Sequence, residues 1–204
     1  MLRNAVESRG IEYVVHFTRL ANLNSILAHG LVPRSILEAN NLPFTFNDEL
    51  RIDGYENASC CSIGYPNYKM FYRARCENPG VEWVVLGINK KILWEKNVAF
   101  CVNNAASAEI LRTPLTSLQG INAFSNLFND YGDKRRVTLN LPDNYPTNPQ
   151  AEVLVFDTIE PENFIGVIFE SEIRKAQYAQ QYSNLELLGN KALFGPRPDH
   201  QHWH

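Results

Sequence analysis

The sequence predicts a single α+β domain with a mostly antiparallel or mixed sheet, and three observations support this fold class. Segments with strand and helix patterns are interspersed without the regular strand-helix-strand alternation of a parallel α/β sheet. No glycine-rich phosphate loop of the Rossmann or P-loop type follows a strand pattern. No linker-like segment divides the 204 residues, so the domain is expected to span residues 1–204.

The composition excludes several classes of protein. Hydrophobic residues make up 45% and charged residues 20% of the chain, as in ordinary globular proteins. The net charge of −3 gives no overall attraction to polyanions. The longest apolar runs are far shorter than the roughly 20 residues of a membrane helix, and the first ten residues lack the apolar core of a secretory signal. We therefore expect a cytoplasmic protein without a membrane partner.

Short runs of β-branched and aromatic residues predict the strands. In chain order, the strands are expected at residues 13–18, 59–64, 81–88, 98–102, 153–157 and 164–169.

Capping signals and apolar spacing predict the helices. Asn22 can cap a helix that ends near Gly30, which suits the left-handed position after a helix. Pro66 is expected in the first turn of the next long helix, and Ser171 can cap the last one. The helical segments are expected at residues 22–30, 36–37, 66–73, 90–95, 105–111, 121–128 and 172–181.

Two long polar segments, residues 40–57 and 129–150, interrupt these elements. Loops of this length inside a compact domain are usually functional or mobile. The second loop carries the only compact basic run, Lys134-Arg135-Arg136. This run is either a solvated loop tip or a contact for a nucleic-acid backbone.

His16 and Thr18 lie two positions apart in the first strand, so their side chains share one face. A core histidine bonded to a neighbouring carbonyl is the simpler interpretation. The functional interpretation is a polar pair that lines a cleft and holds an amide or a hydroxyl group. Met70 and Phe71, in an aromatic-rich helix, either pack in the core or contact a planar ligand.

Glu152 is the most informative single residue, because it stands directly before the apolar run Val153–Phe156. A charge at such a boundary costs desolvation free energy unless the site uses it. A carboxylate on a rigid strand suits a reaction that develops positive charge, such as glycosidic cleavage. A solvated strand edge is the alternative.

Four cysteines are present, and no Cys-x-x-Cys pair is flanked by histidines, so no metal is expected. The histidines at the C-terminus, 200, 202 and 204, are expected to belong to a disordered or surface tail.

Three blocks of the sequence resemble the DarT family of DNA ADP-ribosyltransferase toxins. They are Val15-His16-Phe17-Thr18 with the following Asn22-Leu23 helix, Pro66-Asn67-Tyr68-Lys69-Met70-Phe71-Tyr72, and Gln150-Ala151-Glu152-Val153-Leu154-Val155. Their order and spacing are similar over nearly the whole chain, from about residue 13 to 169.

The resemblance implies an ADP-ribosyltransferase fold with two small packed sheets and NAD, the co-substrate, bound in a cleft between them. It implies transfer of ADP-ribose onto a base of single-stranded DNA by the toxin of a toxin–antitoxin pair, whose partner antitoxin carries a macrodomain. The length and the block at residues 65–72 are more similar to the guanine-directed than to the thymine-directed branch.

The resemblance also implies roles for individual residues. Glu152 is expected to be the catalytic acid, with Arg51 close to the NAD phosphates and the reaction centre. The other residues expected to bind NAD are His16, Thr18, Asn22, Leu31, Met70 and Phe71. The candidate DNA contacts are Lys134, Arg135 and Arg136, with Arg73 and Arg75 as further candidates.

Three other functions compete with this interpretation. An ADP-ribosyltransferase or 2′-phosphotransferase acting on RNA or protein would use the same Glu152 and His16. A non-catalytic module would bind NAD without consuming it. A metal-dependent nuclease ranks last, because clustered acidic and histidine ligands are not found at convincing spacing.

Overall fold

The structure is a computed structural model that describes residues 1–40, 44–45, 54–183 and 185–203. Its strands join in one seven-stranded sheet in the order β4-β5-β2-β1-β3-β6-β7. The strands are β1 Tyr13–Arg19, β2 Ser59–Ile63, β3 Trp83–Asn89, β4 Val98–Cys101, β5 Glu152–Val155, β6 Phe164–Phe169 and β7 Leu187–Gly189. Only β7 pairs in a parallel direction within this described part, so the sheet is mixed. The mixed α+β class is confirmed.

Strand β2 belongs to two ladders at once. Its last residues, Ser62 and Ile63, pair with β1, whereas Ser59–Cys61 pair with β5. The two sheets expected from the sequence are therefore joined through β2 into one continuous sheet. This shared strand brings the start of β5 close to the middle of β1.

Nine α-helices lie in the described part of the chain. They are α1 Leu2–Ser8, α2 Leu23–His29, α3 Arg34–Ala39, α4 Tyr68–Glu77, α5 Ile92–Glu95, α6 Ala108–Leu111, α7 Gly120–Asn126, α8 Arg136–Leu139 and α9 Glu172–Tyr178.

The structure corrects several sequence-based boundaries. Helix α4 begins after Asn67, whose Oδ1 accepts a hydrogen bond from the Met70 amide, so Pro66 precedes the cap. Helix α1, helix α8 and strand β7 were not predicted, since each is short and weakly patterned. Ser171 caps α9 as expected.

The sheet is buried on both faces. Along β1, Val14 belongs to a large core cluster with residues of α1 and α7, whereas Val15 belongs to a second cluster with Phe71 and Trp83. Alternate residues of a strand face opposite sides, so each face of β1 has its own core. A rigid scaffold of this kind can hold a polar site at a strand end.

No helix within the described ranges is long and apolar enough to cross a bilayer.

Candidate active site

A cavity of about 170 Å³ opens beside β1 and β2 and the start of β5. Six of the residues predicted to form a site line it, namely His16, Thr18, Asn22, Leu31, Met70 and Glu152. The carboxylate and the imidazole singled out from the sequence therefore share one cavity.

His16 lies in the middle of β1, opposite Leu86 of β3, and is partly buried. Its Nδ1 lies 2.8 Å from the carbonyl oxygen of Cys60 in β2. Because a carbonyl oxygen only accepts, Nδ1 is the donor, and Nε2 is the acceptor atom of the neutral ring. The core hydrogen bond and the cleft-lining position expected as alternatives are thus both present.

Asn22 links the first strand to the described part of the 40–57 loop. Its Nδ2 donates to the Thr18 hydroxyl at 3.2 Å and to the Thr45 carbonyl at 2.8 Å. Its Oδ1 accepts from the Thr45 amide at 2.9 Å. Asn22 precedes α2, as predicted, but its side chain does not cap that helix. It instead fixes residue 45 at the edge of the cavity.

Leu31 reaches the cavity through a tight turn at Gly30. Gly30 has a φ of +88°, and a Cβ there would lie 2.5 Å from the Ile159 carbonyl oxygen. Leu31 then exchanges two backbone hydrogen bonds with Ile159. A glycine is needed here both for its conformation and for the close approach of the two chains.

Glu152 is only 3% exposed and is the first residue of β5, opposite Cys101 of β4. Its Oε1 accepts hydrogen bonds from Asn67 Nδ2 at 3.1 Å and from Asn104 Nδ2 at 3.0 Å. Its Oε2 accepts from the Ala105 amide at 2.8 Å. Such bonds fix the orientation of the carboxylate. The solvated-edge alternative is excluded by this burial.

Asn67 and Asn104 both donate to Glu152, and neither was singled out as a site residue from the sequence. Asn67 is 1% exposed and caps α4 while it donates to Glu152. Asn104 lies in the turn after β4, where its Oδ1 accepts from the Ala106 amide. The position of Asn67 before a helix is a recognisable capping signal, but the second bond depends on a contact distant in sequence.

The environment of Glu152 also affects the neighbouring thiol. Burial, and after it the negative charge of Glu152, raises the pKa of Cys61 to about 12. The thiol is therefore neutral at physiological pH. It does not act as a nucleophile in that state.

Phe71 lies in the core rather than in the cavity. It is 1% exposed and stacks on Phe17 with ring centroids 4.5 Å apart. Phe71 thus packs in the core, as one of the two alternatives expected, and it is not among the residues that line this cavity. Arg34, which was not singled out from the sequence, lines the cavity instead.

The basic run is divided by its contacts. Lys134 and Arg135 form ion pairs with Asp133 and Asp130, both at 2.9 Å. The guanidinium of Arg136, in contrast, donates to the carbonyl oxygens of Tyr145 and Pro142 and to the Thr147 hydroxyl. Arg136 therefore organises its own loop.

The two arginines of α4 differ in a similar way. Arg73 is well exposed and pairs with Glu77 at 2.7 Å. Arg75 donates to the Phe194 carbonyl and lies over the Phe71 ring, 4.9 Å from its centroid. Only Arg73 thus presents its charge mainly to solvent.

Two further predictions concern Arg51 and the absence of a metal site. Arg51 lies outside the described residues. Among the residues that the structure does describe, no group of three or more His, Cys, Asp or Glu side chains could hold a metal ion.

Comparison with known proteins identifies the family. A family model described as "ssDNA thymidine ADP-ribosyltransferase, DarT" matches residues 15–192. The chain belongs to the DarT family. None of the proteins with curated descriptions matches it significantly.

Solved structures of DarT proteins share the fold. Thermosipho africanus DarTG in complex with ADP-ribose has a TM-score of 0.66 at 13% identity, over 90% of this chain and 51% of that protein. This chain therefore spans about half the length of that relative. Thermus sp. 2.9 DarT in complex with NAD+ has a TM-score of 0.58 at 12% identity, over 90% and 98% of the two chains. The same protein in complex with ADP-ribosylated ssDNA has a TM-score of 0.58 at 13% identity, over 91% and 97%.

Proposed function

We propose that this DarT-family chain transfers ADP-ribose from NAD to a base of single-stranded DNA, with Glu152 as the catalytic carboxylate. The observation that carries the proposal is the position of Glu152 in the cavity it shares with His16. The carboxylate is almost fully buried, and hydrogen bonds from Asn67, Asn104 and the Ala105 amide fix its orientation at the cavity. A negative charge held in a fixed orientation stabilises a positive charge that develops in the transition state of a reaction.

The chemistry of the cavity lining fits the nicotinamide–ribose end of NAD. His16, Thr18 and Asn22 supply hydrogen-bonding groups for an amide and hydroxyls, whereas Leu31 and Met70 supply apolar surface for a planar ring. The volume of about 170 Å³ is below the range of about 300–1,000 Å³ for whole-ligand pockets. We therefore assign this cavity to one end of NAD. Arg34, at the cavity, is a candidate for the phosphates, together with Arg51.

The reaction requires little movement of the protein groups. NAD supplies an ADP-ribosyl group whose ribose carbon becomes cationic as nicotinamide leaves. Glu152 stabilises that charge electrostatically and accepts a hydrogen bond from the adjacent hydroxyl. It also serves as the acceptor for the proton that the attacking base nitrogen loses. Because Asn67, Asn104 and Ala105 already fix the carboxylate, the transition state demands no costly reorientation.

We propose that the 129–150 loop binds DNA through Lys134 and Arg135. Both lie at exposed or partly exposed positions, and their acidic partners are also at the surface. Phosphate contacts can displace such surface ion pairs, which are individually weak. Single-stranded DNA is the expected form, since the reacting base edge is otherwise paired.

The modified base is proposed to be guanine, on the similarity of the block at residues 65–72 to the guanine-directed branch. The family description names thymidine, so both bases need a direct test. The decisive experiment incubates the protein with NAD and single-stranded oligonucleotides that each lack one base, followed by mass spectrometry. A gain of one ADP-ribosyl group that requires guanine supports the proposal; a gain that requires thymine reassigns the base.

Parallel incubations with RNA and protein test the competing activities. Label from NAD that enters RNA or protein but not DNA would replace the proposed substrate. Binding of NAD without nicotinamide release would identify a non-catalytic module. Both outcomes would contradict the proposal.

We further propose that the protein is the toxin of a pair whose antitoxin carries a macrodomain. The support is the family membership and the sequence resemblance. Induced expression is expected to stop growth, and co-expression of a DNA-directed ADP-ribosyl hydrolase to restore it. Growth arrest that persists with Glu152→Gln would contradict an enzymatic toxin.

A further inference from the structure

The C-terminal segment, residues 192–199, contacts both of the segments that position Glu152. One of them, residues 65–67, contains Asn67, which donates to the carboxylate. The other, residues 146–148, lies shortly before β5, of which Glu152 is the first residue. The family match ends at residue 192, so most of this segment lies beyond the region shared with the family model.

Arg197 makes the contact with residues 146–148. It is 1% exposed, and its Nε and Nη2 donate to the two oxygens of Asp199 at 2.6 and 2.7 Å. The same guanidinium donates to the Pro146 carbonyl at 2.8 Å and to the Thr147 carbonyl at 2.7 Å. A bidentate ion pair thus holds the guanidinium in the one orientation that reaches both carbonyls.

Asp199 is itself held on two sides. Its Oδ2 accepts a second hydrogen bond, from Trp203 Nε1 at 2.7 Å. Burial favours a higher pKa for Asp199, but the bonds and charge of Arg197 outweigh it and lower the pKa. The pair is therefore charged at neutral pH. The tail was expected to be disordered or at the surface; it is folded against the domain, with His200 at the surface. His200 Nδ1 donates to the Arg197 carbonyl at 3.1 Å.

Tyr65 makes the contact between residues 65–67 and the C-terminal segment. Its hydroxyl lies within hydrogen-bonding distance of the Ala192, Gly195 and Pro196 carbonyl oxygens. Its ring meets that of Tyr145 edge-on, with centroids 6.1 Å apart. The C-terminal segment, Tyr65 and the end of the 129–150 loop therefore form one contiguous layer beside the site.

The path from this layer to the carboxylate is short and ordered. Thr147 and Asn148 are buried, and the Thr147 amide donates to the Leu127 carbonyl at 2.8 Å. The Ala151 amide then donates to the Asn148 carbonyl at 3.1 Å, one residue before Glu152. A displacement at residues 146–147 would therefore reach the first residue of β5.

We infer that residues 192–199 act as a C-terminal clamp, and that Arg197 in the clamp and Tyr65, which the clamp contacts, are positioning residues for Glu152. The inference rests on the proposed function in so far as Glu152 is the catalytic carboxylate. The clamp joins the chain that precedes Glu152 to the chain that carries its donor Asn67. A misplacement of about 1 Å at a reacting group costs about 100-fold in rate.

The main test variant replaces the buried pair by apolar side chains, as R197M/D199L in the full chain. Because both charged side chains are replaced, no uncompensated buried charge remains, and the protein is expected to fold. The carbonyls of Pro146 and Thr147 nevertheless lose their donor. We expect kcat for transfer to fall by about 10- to 100-fold, with the KM for NAD changed less than about twofold. R197K, which keeps the charge, is expected to recover part of kcat, and R174M on α9 serves as the control.

Hydrogen exchange provides a readout that does not depend on activity. In R197M/D199L the Ala105 amide, which donates to Glu152, is expected to exchange faster, with amides on the far strand β6 unchanged. If R197M/D199L has the same kcat and the same Ala105 exchange rate as the wild-type protein, the clamp is overturned. If the wild-type protein transfers no ADP-ribose, but the Ala105 amide still exchanges faster in R197M/D199L, the proposed function is contradicted and the clamp is not.

Y65F removes only one hydroxyl and covers the case in which the double variant fails to fold. We expect a fall in kcat of at least about threefold and faster exchange at Ala105. A folded Y65F protein with unchanged kcat and exchange would overturn the inference.

Discussion

Asn67 donates from Nδ2 to Oε1 of Glu152 at 3.1 Å, while its Oδ1 accepts from the Met70 amide at the start of α4. One buried side chain thus joins the beginning of a helix to the carboxylate of a strand 85 residues further along the chain. The helix cap and the proposed catalytic group are therefore set by the same amide.

Asn67→Asp separates these two functions. Aspartate caps a helix as well as asparagine does, but it places a second carboxylate against Glu152. Because two adjacent carboxylates cannot both ionise without cost, we expect kcat at neutral pH to fall by about 100-fold. Melting curves are expected to show a folded protein, and Ser171→Asp, at the cap of α9, is the matched control. Full activity of Asn67→Asp would contradict the assigned role.

Asn22→Ala removes the link between Thr18 and residue 45. Three hydrogen bonds are lost, two of them to the Thr45 backbone, so the edge of the cavity should loosen. We expect the KM for NAD to rise about tenfold, with a smaller change in kcat. Asn24→Ala, in the first turn of α2, is the control, since the Asn24 side chain accepts a hydrogen bond from the Tyr182 hydroxyl instead. An unchanged KM would show that this edge does not contact NAD.

Charge reversal at Lys134 and Arg135 tests the DNA contact. The double change to glutamate is expected to raise the KM for the oligonucleotide and leave that for NAD unchanged. The slope of log affinity against log salt should fall by about 0.7 for each lost phosphate contact. Arg73→Glu is compared in parallel. If affinity and salt slope both match wild type, DNA binds elsewhere.

Thiol labelling tests the electrostatic environment of the carboxylate. The pKa of Cys61 is raised from 9.0 to about 12. Between these two pH values the Cys61 thiolate forms mainly in the unfolded chain. The contribution of the neutral Cys61 thiol to the free energy of unfolding is therefore complete below pH 9. It is lost as the pH rises toward 12, because the unfolded chain ionises first. At pH 8.5, iodoacetamide should modify the exposed Cys76 and leave Cys61 intact until urea is added. Equal rates for the two thiols in the native protein would contradict the buried site.

The strand that carries His16 and Thr18, and the placement of Glu152 at the start of β5, were predictable from the sequence. Both depend on local signals, namely a β-branched run with period two and a carboxylate before an apolar run. That the three side chains share one cavity does not follow from these local signals and was implied only by the family resemblance. The family resemblance added the expectation of an enzyme, which residue patterns alone left open.

The groups that orient Glu152 were not predictable in the same way. Asn67 and Asn104 reach it across 85 and 48 residues of sequence, and such contacts leave no local pattern. Arg136 looks like part of a basic patch in the sequence, yet its guanidinium binds the carbonyls of its own loop. Arg197 likewise stands in what reads as a polar tail.

The most direct test of the account is the Glu152→Gln variant, measured for NAD binding and for ADP-ribosyl transfer to single-stranded DNA. Glutamine keeps the shape and one carbonyl acceptor for Asn67 and Asn104, so the fold and NAD affinity are expected to persist. Without the negative charge, kcat should fall by at least about 1,000-fold. A folded Glu152→Gln protein that modifies DNA at a rate near that of wild type would contradict the central claim.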